Sequence, residues 1–306
     1  MKPFKTYQHL EGDPLTERDK TEAGSAFWNE GKWNSFVEPL LPNDCSEMVL
    51  VEMGCNAGVF LNKAESKGFG KVVGIDSDEA SVERGCSWRD RHGKNYQILL
   101  ERMEDCLDNL PLADYTILSN SHYYFTINDW LDYLDRLQYK TRYCIIITAQ
   151  KRKGNRCWAR ADLDGIRDYF KTWKEVGFVD TPPLEDDPHP RRLWSLCFES
   201  PFIERVPIDS LDCGNHVQDK FYAELDAGMD YKDTRYYKIL KPYRKRWSEE
   251  KLHTWIEGRI KVYKDLKENG LKKPILVGAK NLILDGNHRY SMMKHLGFKS
   301  ILIRRT

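Results

Sequence analysis

The sequence predicts an α/β chain of two units: a mostly parallel strand–helix sheet over residues 1–200 and a smaller α+β unit over residues 201–306. Three observations carry that expectation. The apolar run Val49–Leu50–Val51 meets Glu52 and a turn punctuated by Gly54 and Gly58, and a second apolar run, Val72 to Ile75, ends on Asp76. Further apolar strands follow at 96–100, 115–119 and 142–148, separated by segments long enough for crossover connections. Charge then changes sign near Pro201. The first 200 residues hold 26 Lys+Arg against 33 Asp+Glu, and the rest hold 22 against 14. Two units with different ligands follow from that asymmetry, the basic one suited to an anion such as phosphate, nucleotide or nucleic acid.

The first turn says which ligand it suits. A dinucleotide site needs G-x-G-x-x-G, so that bare backbone can approach a pyrophosphate. Here the spacing is Glu52-x-Gly54-x-x-x-Gly58, with Cys55 and Asn56 where the second glycine should stand. The loop therefore suits a nucleoside without a pyrophosphate. Asp76, at the end of the second strand, can accept both ribose hydroxyls in charge-assisted hydrogen bonds. Loop, acid and spacing together resemble the first motif and acidic second-strand end of class I S-adenosylmethionine (SAM) methyltransferases. The resemblance implies a Rossmann-like class I methyltransferase sheet with SAM as cofactor, bound by Glu52, Gly54, Asn56, Gly58 and Asp76.

Other elements take their expected roles from that frame. The segment SAFWNEGKWNSFVEPLLP reads as a helix closing over the pocket, with Trp28, Lys32 and Trp33 near cofactor or substrate, or packed on the sheet. Its lysine–tryptophan step is similar to that of the tRNA wobble-uridine carboxymethyl transferases. After strand 96–100, Met103 and Glu104 are the candidates for packing on the adenine and accepting from its amine. After strand 115–119, Asn120 and His122 should face the transferred methyl group, because strand C-termini line the ligand crevice. His122 is the candidate general base. Segments 173–182 and 192–200 read as an antiparallel hairpin, and the basic loop 151–160 could hold an anionic substrate. SNSHYY lacks the Asn/Asp-Pro-Pro-aromatic motif of amino-methyltransferases, and no Pro-Cys nucleophile is present.

Composition bounds the class. Hydrophobic content of 41% supports folded cores, no apolar run approaches the roughly 20 residues of a membrane span, and the N-terminal residues lack a signal-peptide core. Eight cysteines are scattered without a C-x-x-C pair, so neither a metal site nor a redox motif is expected, and a reducing, cytoplasmic location is.

In the second unit, Ser248 is a good N-cap and Gly270 a good stop for one long helix, whose Leu252, Trp255, Ile256, Ile260, Tyr263 and Leu266 form a core stripe. Asp285, Gly286, Asn287, His288 and Arg289 follow a strand and open a helix, a layout suited to cradling phosphate. The order of elements around this turn resembles the ParB/sulfiredoxin superfamily over about 100 residues, and its Asp-Gly-x-His-Arg form resembles the free-serine kinases. That resemblance implies phosphate binding by these five residues, ATP or ADP with Mg as ligand, and a catalytic His288. Asn287 stands where sulfiredoxins carry their cysteine. The kinases' early glutamate is missing, leaving Asp209, Asp212, Glu249 or Glu250 as substitutes. The expected function is a methyltransferase with a kinase-like nucleotide-binding domain, acting on a small-molecule or glycan hydroxyl or phosphate. The alternatives are a tRNA or DNA methyltransferase whose basic domain holds the nucleic acid, and a methyltransferase with a nucleotide-sensing domain.

Overall fold

Short β-branched runs alternating with amphipathic segments give, in the computed structural model, two compact units: Met1–Asn109 with Ala113–Pro201, and Leu110–Leu112 with Phe202–Thr306. The structure describes Leu10 and residues 31–149, 163–181, 193–213 and 218–306. Trp28 and the basic loop 151–160 lie outside the described residues.

The first unit is a seven-stranded sheet: β1 (Val49–Met53), β2 (Lys71–Asp76), β3 (Gln97–Leu100), β4 (Ala113–Ser119), β5 (Thr141–Ala149), β6 (Lys174–Thr181) and β7 (Leu193–Glu199). The order is β3-β2-β1-β4-β5-β7-β6. Strands β1 to β5 pair in parallel, and β7 lies antiparallel between β5 and β6. Helices α1 (Val59–Lys67), α2 (Glu79–Arg91), α3 (Met103–Cys106), α4 (Ile127–Leu137) and α5 (Leu163–Tyr169) fill connections between strands. Both faces are covered, so β1 and β4 are apolar almost throughout and do not alternate. Two exceptions are informative. The buried Asp114 carboxylate accepts from Val49 N at 2.9 Å and ties the lower ends of β1 and β4 together. Glu52 is the other, near the upper end of β1. Register places Met53 beside Ile75 and Leu118, so the chain leaves β1, β2 and β4 along one edge. Because β2 and β4 flank β1 on opposite sides, the connections diverge there and open a crevice.

The described part of the opening segment is helical, as expected. It includes a π-helical turn, Trp33–Val37, and the buried Trp33 packs edge-on to Phe60 at 5.7 Å. Burying a large ring against α1 wins over presenting it to a ligand.

The second unit is a mixed four-stranded sheet, β8 (Ile203–Pro207), β9 (Ile275–Val277), β10 (Ile283–Asp285) and β11 (Ser300–Arg305), in the order β10-β9-β11-β8. Only β9 and β11 run parallel. Its helices are α6 (Asp219–Asp226), α7 (Arg235–Tyr243), α8 (Glu249–Asn269) and α9 (Asn287–His295). Ser248 caps α8 by accepting from Lys251 N at 3.2 Å, and Gly270 ends it at φ 82°. Leu252, Ile256, Tyr263 and Leu266 are buried, while Trp255 and Ile260 are half-buried at the margin of the core.

Candidate functional site

The edge above β1, β2 and β4 collects most of the cofactor residues expected from sequence. Leaving β1, Gly54 N and Cys55 N both donate to Ile75 O, at 2.8 and 2.9 Å. This pulls the loop back over β2 and forces left-handed backbone at Gly54 (φ 75°), Asn56 (φ 51°) and Gly58 (φ 87°). A Cβ on Gly54 would lie 2.8 Å from Ser121 Cβ and 3.8 Å from Met103 Sδ. The missing side chain therefore brings the loops after β1, β3 and β4 together. Gly58 caps α1 without a side-chain acceptor.

Asp76 is fixed from both sides. Its Oδ2 accepts from Asn56 N at 2.6 Å and its Oδ1 from Asp78 N at 2.9 Å. Asn56 Nδ2 donates to Ser81 Oγ at 3.1 Å, and Ser81 Oγ donates to Asp78, the N-cap of α2. The ring Asp76–Asn56–Ser81–Asp78 holds the carboxylate rigidly. Each oxygen keeps one further lone pair, enough for two vicinal hydroxyls. Sequence reasoning passed over Asp78 and Ser81, although an N-cap acid with a serine three residues on was visible as a helix start.

Four buried polar atoms on this edge lack a hydrogen-bond partner: Glu52 Oε2, Asn56 Oδ1, Asn120 Oδ1 and Ser121 Oγ. Such atoms cost about 1–3 kcal/mol each when left unsatisfied, and so mark where a polar ligand belongs. Glu52 is 1% exposed, and burial, with the nearby Asp76 charge, pushes its carboxyl well above the usual range; Lys32 opposes this. The lysine expected near the pocket is thus felt at Glu52. Asn120, at φ 55°, turns the chain off β4 with its N donating to Ile147 O at 3.0 Å. Met103 reaches the loop. The Glu104 carboxylate instead accepts from Arg102 Nη2 at 3.1 Å, and its backbone O from Arg136 at 3.2 Å.

His122 stands apart from this set. It is fully buried beside Trp130, at 6.0 Å between rings, and burial pulls its pKa down to about 4. Its imidazole is enclosed in the core in this structure.

In the second unit the Asp285–Arg289 turn folds as a strand end, a left-handed Gly286 (φ 100°) and the opening of α9. Gly286 caps α9 without a side-chain acceptor, and no acid lies in the first turn. The side chains, however, are engaged by protein. His288 Nδ1 lies 3.1 Å from the Tyr222 hydroxyl and Nε2 3.4 Å from that of Tyr236, with the Trp255 ring at 5.6 Å. Burial, with the Arg259 charge, takes its pKa down to about 3. Arg289 donates to the carbonyls of Lys273 and Pro274, both at 2.9 Å, and to Asp285 at 2.7 Å. Asn287 Oδ1 is buried without a partner. Asp209 faces Lys294 at 3.8 Å, in the last turn of α9. Five residues separate that turn from Arg289, about 8 Å along the helix. The cation that sequence missed is Arg259, whose charge acts on both His288 and Arg289. It lies thirty residues upstream, and only folding brings it to the turn.

Among the described residues no His/Cys/Asp/Glu cluster could hold a metal ion. No helix among them is long and apolar enough to cross a membrane.

Residues 27–175 match the family described as a methyltransferase domain. That match lies in the first unit and supports a methyltransferase domain there. No curated protein matches the chain. Among solved structures, TehB from Haemophilus influenzae aligns at 13% identity and TM-score 0.43, covering 51% of this chain and 58% of that one. The magnesium protoporphyrin IX methyltransferase ChlM from Synechocystis PCC 6803, solved with S-adenosylhomocysteine (SAH), aligns at 12% and 0.48, covering 62% and 90%. The N-methyltransferase NodS from Bradyrhizobium japonicum WM9, also with SAH, aligns at 16% and 0.42, covering 50% and 78%.

Proposed function

We propose that the chain binds SAM at the strand-end edge of the first unit and transfers its methyl group to a small-molecule or glycan hydroxyl or phosphate. The observation that carries this is Asp76, braced by Asn56 and Asp78, beside four unpartnered buried polar atoms. Asp76 would accept from the ribose hydroxyls and Met103 would pack on the adenine. Asn120, Ser121 and Glu52 would meet the polar atoms of the amino-acid end. When bound, SAM supplies an electrophilic methyl on a sulfonium, and the acceptor takes it in an in-line displacement that releases SAH. An ionised phosphate or carboxylate acceptor needs no base. The burial of His122 agrees with such a nucleophile, because alignment provides most of the effect. His122 would then shape the wall beneath Asn120 and Ser121.

The test is calorimetric titration with SAH, followed by methyl-label transfer to sugar phosphates, polyols and RNA. Saturable SAH binding and label in a small acceptor are expected. Absence of SAH binding would overturn the cofactor site, and label in RNA alone would overturn the acceptor class.

For the second unit, the uncapped start of α9, the Arg259 charge and the free Asn287 Oδ1 support a ParB/sulfiredoxin-like site for nucleotide phosphate. The engaged His288 and the distant Asp209 favour nucleotide sensing over phosphoryl transfer. Saturable Mg·ATP or ADP binding that Arg259→Glu abolishes, without turnover of γ-labelled ATP, is expected. Label transfer that His288→Ala removes would instead establish a kinase.

A further inference from the structure

The C-terminal end of α7 and the turn beyond it carry an exposed basic and aromatic run that neither the methyl-transfer site nor the Asp285–Arg289 turn uses. Between Lys238 and Trp247 stand Lys238, Lys241, Arg244, Lys245 and Arg246, all exposed, with no acidic residue among them. Tyr243 is 83% exposed, the highest value among the large exposed hydrophobic residues described. Lys241 pairs with Glu249 at 3.0 Å. Among the described residues, Arg244, Lys245 and Arg246 make no ion pair. Instead the Arg244 guanidinium lies over the Trp247 ring at 4.5 Å, Lys251 approaches the same ring at 5.2 Å, and Trp247 meets Trp255 edge-on at 6.0 Å. Arg259 in turn lies over Trp255 at 4.8 Å.

Stabilisation of the helix end does not account for this run. Cations favour a helix C-terminus only within its last turn, whereas Arg244 to Arg246 lie beyond Tyr243, where α7 ends. Uncompensated cations repel one another and are tolerated where an anion is to be held. The ligand would be a polymer, because the cations extend along a strip and do not converge on a point. The rings choose among polyanions. An exposed aromatic between cations offers a stacking face to an unpaired base while Lys and Arg follow the backbone. A membrane-seeking patch would add aliphatic side chains, and no exposed large aliphatic residue lies between Lys238 and Lys251.

We propose that Lys238–Lys251 forms a docking surface for single-stranded nucleic acid, in which Tyr243 stacks on a base and Arg244, Lys245 and Arg246 contact consecutive phosphates. The surface lies within the second unit and is independent of which acceptor the first unit methylates.

The test uses the full chain and a fluorescent 20-nucleotide oligo(dT) or oligo(U), followed by anisotropy across salt concentrations. Three phosphate contacts give a slope near −2 in log affinity against log salt, or a loss of roughly 20-fold between 50 and 200 mM. The Arg244→Glu/Lys245→Glu/Arg246→Glu variant is expected to abolish binding. Tyr243→Ala is expected to weaken it about tenfold, with Tyr243→Phe restoring it. The exposed Lys261→Glu/Lys264→Glu pair, farther along α8, serves as the charge control and should change affinity by less than about threefold. These substitutions are at the surface, and an unchanged thermal midpoint confirms the fold. The proposal is overturned if duplex binds as tightly as single strand or if Tyr243→Ala has no effect. It is equally overturned if the control weakens binding as much as the patch variant, or if phosphatidylserine vesicles bind and the oligonucleotide does not.

Discussion

The loop after β1 and the turn before α9 use the same local construction and differ in how far protein groups occupy their side chains. Each runs from a strand through a left-handed glycine, Gly58 or Gly286, into a helix without a side-chain cap. At the first, protein partners hold the backbone and the Asp76 carboxylate, and four neighbouring polar atoms remain unsatisfied. At the second, His288 and Arg289 are already occupied by two tyrosines, two carbonyls and an aspartate, while Asn287 Oδ1 remains unsatisfied. A strand–glycine–helix signature thus fixes backbone geometry. Which of its groups remain for a ligand depends on where the side-chain hydrogen bonds go.

That contrast can be broken by substitution. The largest effect is expected for Asp76→Asn. It replaces an acceptor that two backbone N–H groups require and removes the charge facing the ribose, so SAH affinity should fall about 100-fold by calorimetry. Arg289→Ala should leave SAH affinity unchanged and lower the thermal midpoint instead.

Next come the two glycines. Gly54→Ala places a methyl 2.8 Å from Ser121 Cβ on left-handed backbone, and should weaken SAH binding about tenfold as well as destabilise the fold. Gly286→Ala meets Arg289 Nη2 at 3.1 Å and Ile275 Cα at 3.3 Å, and should cost about 1–2 kcal/mol of stability without affecting SAH. If both glycine variants lose SAH binding equally, the distinction between the regions fails.

The buried histidines give a smaller, pH-dependent effect. His122 and His288 have folded pKa values lowered to about 4 and about 3 from 6.5. A lowered histidine pKa means the unfolded chain binds the proton first. Stability is therefore complete above about 6.5 and falls as pH drops through that value toward the folded pKa. His122→Asn and His288→Asn should each flatten the decline of the thermal midpoint between pH 6.5 and 4.

Glu52 runs the other way and is the smallest of these effects. Its folded pKa is raised, so its contribution is present below the unfolded carboxylate pKa and is lost as pH rises through the folded value. Glu52→Gln should raise the thermal midpoint at pH 8 relative to wild type, with the gap closing toward pH 4.

Much of the first unit was legible because each of its signals is local. Apolar strands, glycine spacing and the strand-end acid occupy some thirty consecutive residues, and the antiparallel β6–β7 pair is the hairpin that the resemblance implies. The surroundings of His122 were not legible. A histidine at a strand end reads as a pocket group, and only the packing of Trp130 and its neighbours onto it encloses the ring. Trp33 follows the packed one of its two expected places, against Phe60. In the second unit Ser248 and Gly270 gave the long helix its ends, whereas the Tyr222–His288–Tyr236 contacts span more than fifty residues and leave no trace in local spacing.

The most direct measurement is amide hydrogen exchange on the full chain with and without saturating SAH. The account predicts slowed exchange at 52–58, 76–81, 101–106 and 119–121, and no change at 285–290. No protection at 52–58 and 76–81, or protection confined to 285–290, would contradict it.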